Sequence, residues 1–436
     1  MSGAGATRGL PAPLLGFFRS RPFSAALVTT GVLLIATNYL WVRLAGWAGY
    51  LGALTLLVLL MGLVLLARRD EIEGIVVPPI SLLVYLGWAT ISIVWSAYQW
   101  VTAGGLAYLY AVTAIALFIA FTRDTIQIVR SMGDAIRWVL ALSLGIELFS
   151  GLIIDIPIPY LNVGGRLAEL GPISGILQTR NQLGIVAIIG AISFATELRT
   201  RSVNRLTGII SLTMAGLCIV LTRSPVIVIT AGVVFVAAAV LYGVRRVRPE
   251  RRQGWQFVVL GVVVVGLAVA WFARGWLISM TNSGGQLDYR LRVWSKMLEF
   301  LGGSWLQGWG WTGRWHPDVA PYSAITTSAD HPPGSALNAY LDVLFQLGWV
   351  GLVIFVGMLG LAFVRSWLLA GRRRSIIYAW PALVLVALIL VSLMESAILV
   401  EFGWLVFVIC CVKASQELSW RTALSRVPAP APVEPE

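Results

Sequence analysis

Residues 225–252 read PVIVITAGVVFVAAAVLYGVRRVRPERR, and this stretch decides the fold. From Val226 to Val244 no residue carries a charge, and Arg245, Arg246, Arg248, Arg251 and Arg252 follow at once. An uncharged run of this length crosses a hydrocarbon core as a helix, since a helix satisfies its own backbone where no water can reach. The closing arginines stop at the headgroups, on the side that the positive-inside rule assigns to the cytoplasm.

Outward from this stretch the pattern recurs. Of 436 residues, 58% are hydrophobic and 12% are charged; a soluble domain is about a quarter charged. Spans are predicted near 24–42, 48–67, 75–95, 101–121, 136–154, 182–198, 207–222, 225–243, 256–273, 337–364, 376–394 and 398–414. The fold class is therefore all-α, a polytopic transmembrane bundle of about twelve spans. Basic segments alternate with arginine-poor ones along the chain: Arg68/Arg69, Arg123/Arg130/Arg137, Arg199/Arg201/Arg205 and Arg372/Arg373/Arg374 fall in one phase with the five arginines after Val244. That phase places both termini in the cytoplasm and the protein as a multi-pass component of the cytoplasmic membrane.

The domain plan follows. Residues 1–23 form a cytoplasmic tail; Arg8, Arg19 and Arg21 precede a full-length span with no cleavage pattern. Residues 24–273 hold spans one to nine, 274–336 an extracytoplasmic loop, 337–414 spans ten to twelve, and 415–436 a disordered cytoplasmic tail with alternating Pro and Ala near its end. The loop contains Trp276, Trp294, Trp305, Trp309, Trp311 and Trp315, a composition that predicts a folded, partly helical cap. A second long outer segment covers about 155–181.

The net charge of +12 is explained by topology-setting arginines, so nucleic acid is not an expected partner. Cys218, Cys410 and Cys411 lie in apolar runs and read as small hydrophobes. No metal-ligand spacing, nucleotide-binding glycine loop or dinucleotide fingerprint occurs, so neither metal nor cofactor is expected.

Arginine on the outer side breaks the orientation rule and needs a reason. Arg180, Arg223, Arg290 and Arg292 are in such places. A guanidinium offers a rigid fork of donors to phosphate oxygens, so an outer cluster suits a diphosphate at headgroup level; the plain alternative is snorkelling to lipid phosphate. His316 and His331 both lie in the large loop, where histidine can serve as a base near neutral pH or simply be surface. Asp155, Glu169, Asp288, Asp318, Asp330, Asp342, Glu395 and Glu401 are the outer carboxylates. Glu147 falls inside a span, where it needs a partner.

Several segments, in order, resemble the O-antigen ligase and polysaccharide polymerase superfamily. Ala89-Thr-Ile-Ser-Ile-Val-Trp-Ser96 is similar to an early Ser-x-x-Trp-Ser segment. Gly175–Gly184, with Asn181, is similar to a glycine- and asparagine-bearing one. Thr222-Arg223-Ser224 matches a Ser-Arg pair, Arg290-Leu-Arg-Val-Trp294 with Gly308-Trp-Gly310 an Arg-x-x-x-Trp and Gly-x-Gly, and Asn338–Gly351 a His-Asn signature. The chain departs from that signature at Leu337, where the family has histidine.

The resemblance implies a metal-independent, inverting glycosyltransferase, ligase or polymerase, whose donor is a glycan on undecaprenyl diphosphate and whose acceptor is a glycan or lipid hydroxyl at the outer face. It implies a diphosphate site at Arg223 and Arg290, joined by Arg180 and Arg292, and a glycan site at Asn181, Asn338, Trp294 and Trp309. With Leu337 in the histidine position, the expected base is His331, or else Asp330 or another carboxylate. Membrane lipids and other polysaccharide assembly proteins are the expected further partners. A lipid-linked glycan flippase, or an inactive scaffold of polysaccharide assembly, is the alternative.

Overall fold

The computed structural model describes residues 12–68, 77–168, 170–246, 254, 284–325, 333–373 and 375–417. Among these residues the α-helices are α1 (Ala12–Arg19), α2 (Arg21–Ala36), α3 (Asn38–Ala67), α4 (Ile80–Ile91), α5 (Gln99–Thr122), α6 (Thr125–Leu148), α7 (Arg180–Thr200), α8 (Arg205–Leu221), α9 (Pro225–Arg246), α10 (Gly284–Leu301), α11 (Ala339–Arg372), α12 (Ala379–Val391) and α13 (Glu401–Glu417). The β-structure among them is a single bridge, Ile158 to Val163. A helical membrane bundle fits this architecture. The helices α3, α5, α6 with its π turn, α7, α9 and α11 are long and apolar enough to cross a membrane, and α2, α4, α8 and α12 are apolar but shorter. Eleven of the twelve expected spans fall on helices; the one at 256–273 lies outside the described residues.

Local chemistry sets the helix starts. Asn338 Oδ1 accepts from the amides of Tyr340 and Leu341 at the head of α11 (2.9 and 3.1 Å), and Thr179 and Asn204 do the same for α7 and α8. Several apolar side chains point outward, Phe235, Leu59 and Val353 among them. In water that exposure would be costly; against lipid tails it is the expected surface. Inside, polar links replace the missing hydrophobic contrast: the indole N–H groups of Trp380 and Trp404 donate to Ser193 and Thr113 (2.9 and 2.8 Å).

The helix ends separate into two sets. At one end Arg19, Arg68, Arg123 and Arg245 donate to the main-chain carbonyls of Ala67, Arg19, Arg21 and Ala370. At the other end the loop bearing α10 docks on α4 and α11. Ser92 Oγ accepts from the Trp311 amide (3.0 Å), and the indoles of Trp88 and Trp95 donate to the carbonyls of Leu347 and Gln307 (2.9 and 3.1 Å). The loop then runs beside a break in α11: Trp309 and Gly310 donate to the carbonyls of Phe345 and Gln346, and Trp349 to that of Trp305. At Gly308 and Gly348, φ 71° and 67°, the two segments pack so closely that a Cβ on Gly308 would collide with the backbone of Gln346 and Gly348, and one on Gly348 with that of Leu306 and Gln307. Asp342 and Gln346 complete the clamp. Asp342 accepts from the Trp315 indole and from Gln346 Nε2 (both 2.8 Å), and Gln346 Oε1 accepts from the amides of Thr312 and Gly313 (2.8 and 3.0 Å). Thus the segments resembling Ser-x-x-Trp-Ser, Gly-x-Gly and the Asn338–Gly351 signature are one physical device. They fasten the outer loop to the bundle.

Candidate functional site

Arg290 lies on the second turn of α10, and its side chain is about one-tenth exposed. Its guanidinium reaches three parts of the chain. Nη1 donates to the carbonyl of Leu337 (3.0 Å) and to that of Met394, and Nη2 pairs with Glu395 Oε1 (3.1 Å). The same carboxylate oxygen accepts from Asn181 Nδ2 (2.5 Å). Asn181 follows Arg180, which opens α7 and points Nη1 toward the Arg223 carbonyl (3.5 Å). Arg223 occupies the turn between α8 and α9 at φ 45°, its side chain exposed. Leu337 is at φ 53°. Left-handed backbone at bulky residues costs energy and persists where the surroundings hold it.

The structure therefore brings Arg180 and Arg290 together with Asn181 around Glu395, and sets the Arg223 main chain beside Arg180. Arg292, two residues beyond Arg290, projects from another side of α10 and is exposed, with no hydrogen bond from its side chain to a described residue. Asn338 spends its amide on holding structure: Oδ1 caps α11 and Nδ2 donates to the Leu393 carbonyl (2.9 Å). Trp294 and Trp309 pack into the small core of the outer loop, their indoles donating to the carbonyls of Ala336 and Phe300 (2.8 and 3.3 Å). Asp330 and His331 lie outside the described residues. Glu147 is buried and accepts from the amides of Ser174 and Gly175 (3.0 and 2.9 Å), so it shapes the approach to α7.

Glu395 was legible only as one of eight outer carboxylates. Its short connection between two spans was the stronger signal, because an ionisable group there must be solvated or paired. Burial pushes its carboxyl above the usual range, with Arg290 and Asn181 pulling back against that rise. A second ionic contact lies nearby. Arg314 grips Glu401 through two bonds of 2.7 Å and donates to Gln178 Oε1 (3.1 Å). Glu401 beside it holds the guanidinium firmly charged. This pair edges a cavity of about 460 Å³ whose walls include Trp47, Trp100, Tyr108, Trp311 and Trp404, with His316 also on its lining. Gln178 lies two residues before Arg180, and Glu401 six after Glu395. Short stretches of chain thus join the two ionic contacts. Among the described residues no group of three or more His, Cys, Asp or Glu could hold a metal ion.

The fold defines a helical membrane bundle with arginines gathered at one end, beside a docked aromatic loop. Residues 209–356 match a family model described as O-antigen ligase, and this match supports a likeness to the O-antigen ligase superfamily. The matched region runs from α8 into α11 and includes Arg223, Arg290 and Leu337. It supports a membrane glycosyltransferase of the ligase or polymerase type, with a lipid-linked glycan as substrate. A comparison with curated proteins gives no match.

Proposed function

We propose that the protein transfers a glycan from undecaprenyl diphosphate to an acceptor hydroxyl at the outer face of the cytoplasmic membrane, without a metal and with inversion. The observation that carries this reading is the convergence of Arg180, Arg223 and Arg290 on one lip of the bundle. As the bond from the anomeric carbon to the diphosphate breaks, negative charge builds on the leaving oxygens. Positive charge fixed in advance lowers that barrier without reorganising. Arg223 is exposed at its turn and open to a diphosphate; Arg290 is buried and would meet the charge in a drier setting, where it counts for more. Inversion requires the acceptor oxygen to attack from the side opposite the diphosphate. The aromatic cavity gives the incoming glycan faces to stack on.

Reconstitution tests this. Full-length protein in lipid vesicles is supplied with an undecaprenyl-diphosphate oligosaccharide, and the products are resolved. Extended chains identify a polymerase, and transfer to a separate acceptor a ligase. Arg223→Ala and Arg290→Ala should each suppress product while leaving expression and insertion intact. Full product from both would end the diphosphate role. Movement of the lipid-linked glycan across the bilayer without any product would identify a flippase instead.

A further inference from the structure

A carboxylate at the centre of an anion-binding cluster calls for an explanation. If holding a diphosphate were the only task, Glu395 would oppose it, because it neutralises Arg290 and adds like charge beside the ligand. Two open acceptors mark the spot. Glu395 Oε1 is held by Arg290 and Asn181, but Oε2 has no hydrogen-bond partner among the described residues. Asn181, whose Nδ2 donates to that carboxylate, has its Oδ1 buried and likewise without such a partner. A buried unsatisfied acceptor is costly, as at Asn181 Oδ1, and a hydroxyl that donates suits either oxygen. By contrast both oxygens of Glu401 are already tied to Arg314.

We infer that Glu395 is the group that takes the proton from the acceptor hydroxyl, and that it is released for this task when the donor's diphosphate draws Arg290 away from it. The inference rests on the transfer reading above. In the resting protein the Arg290–Glu395 pair keeps the cation in place and the carboxylate quiet. The arriving diphosphate offers Arg290 more negative charge than one carboxylate does. Glu395 then remains in its partly buried turn with less compensation, and its affinity for a proton rises. The acceptor O–H bond breaks and the proton passes to Oε2. The oxygen forms its bond to the anomeric carbon as the bond from that carbon to the diphosphate oxygen breaks. The electron pair leaves with the diphosphate onto Arg290 and its neighbours, and the proton later passes from Glu395 to water. The charged groups facing Glu395 are Arg290 from α10 and Arg180 from α7, with Asn181 the polar neighbour. Coupling of this kind leaves the base idle until the donor is bound.

The test uses full-length protein in vesicles with an undecaprenyl-diphosphate oligosaccharide, with initial rates taken against donor concentration and pH. Glu395→Gln keeps the shape and can still accept from Asn181. It should lower kcat at least about a hundredfold, the scale of a lost general base, with donor KM changed less than about threefold. Because the carboxylate must be unprotonated to act, wild-type activity should fall as pH drops through its raised pKa. That acidic limb should lie at higher pH when donor is saturating than when it is scarce. Glu395→Asp should recover part of the rate and retain the limb, and it serves as the reading should the glutamine variant fold poorly. Glu395→Gln with kcat near wild type while Arg290→Ala is inactive would overturn this inference alone. Wild-type protein that makes no product, or Arg290→Ala at full rate, would overturn the transfer reading and this inference with it.

Discussion

The two ends of the bundle use the same side chain for opposite purposes. At the basic end Arg68, Arg123 and Arg245 turn inward and donate to main-chain carbonyls, so each guanidinium is consumed in tying helices together. At the other end Arg180 opens a helix, Arg223 projects from a strained turn, and Arg290 is drawn beneath a loop beside a carboxylate. Arginine at the basic end is cheap, since water, lipid phosphate and helix carbonyls all suit it. At the outer end it stands against the orientation rule. Arg223 meets that cost without a side-chain bond to a described residue, whereas Arg290 also ties α10 to the carbonyls of Leu337 and Met394.

Substitutions should widen or close the contrast in a definite order. The largest effect is expected from Arg290→Ala. It removes a cation about one-tenth exposed and leaves Glu395 without its charged partner, a defect of about 3 kcal/mol or more in comparable buried pairs. Transfer should fall below about a thousandth of wild type. Arg290→Lys keeps the charge but loses the fork, and should restore no more than about a tenth of the rate. A full rate in the lysine variant would mean that only net charge matters.

Arg223→Ala comes next. Its side chain is exposed and forms no bond to a described residue, so thermal unfolding should be unmoved while donor KM rises about tenfold to a hundredfold. Unchanged donor KM would remove it from the site. Gly348→Ala tests the clamp instead of the cluster. The backbone there is left-handed and meets the Leu306 carbonyl, so the variant should lose about 2 kcal/mol of stability and lower its unfolding temperature. A variant of ordinary stability would show that the outer loop does not depend on the break in α11. The smallest effect is expected at the basic end, where Arg68→Ala should alter transfer less than about twofold.

Much of the fold was legible because lipid imposes one rule. Runs such as Val226–Val244 must be helices, and charge phase orders them. The less legible parts have local causes. Asn38–Ala67 is a single element broken at Gly46, because the first outer connection is itself helical from Asn38 to Ala45. The long span after Leu337 breaks at Gly348, since the loop bonds into it there. At the site, Arg180, Arg223 and Arg290 could be singled out one by one from their unfavourable placement. Their meeting point could not, because Glu395 comes from a turn more than a hundred residues beyond Arg290 and carries no motif of its own. Asn338, Trp294 and Trp309 show the converse. Motif placement marked them, yet their polar atoms hold the loop together, while the aromatic cavity draws walls from Trp47 and Trp100, in segments without any site signal.

The most direct measurement is the affinity of full-length protein in nanodiscs for undecaprenyl diphosphate itself, with arginines removed in pairs from each end. Removing Arg223 and Arg290 together should weaken binding at least about a hundredfold, while removing Arg68 and Arg245 should leave it within about twofold. Equal losses from the two pairs, or none from the first, would contradict the claim that the outer cluster is a diphosphate site.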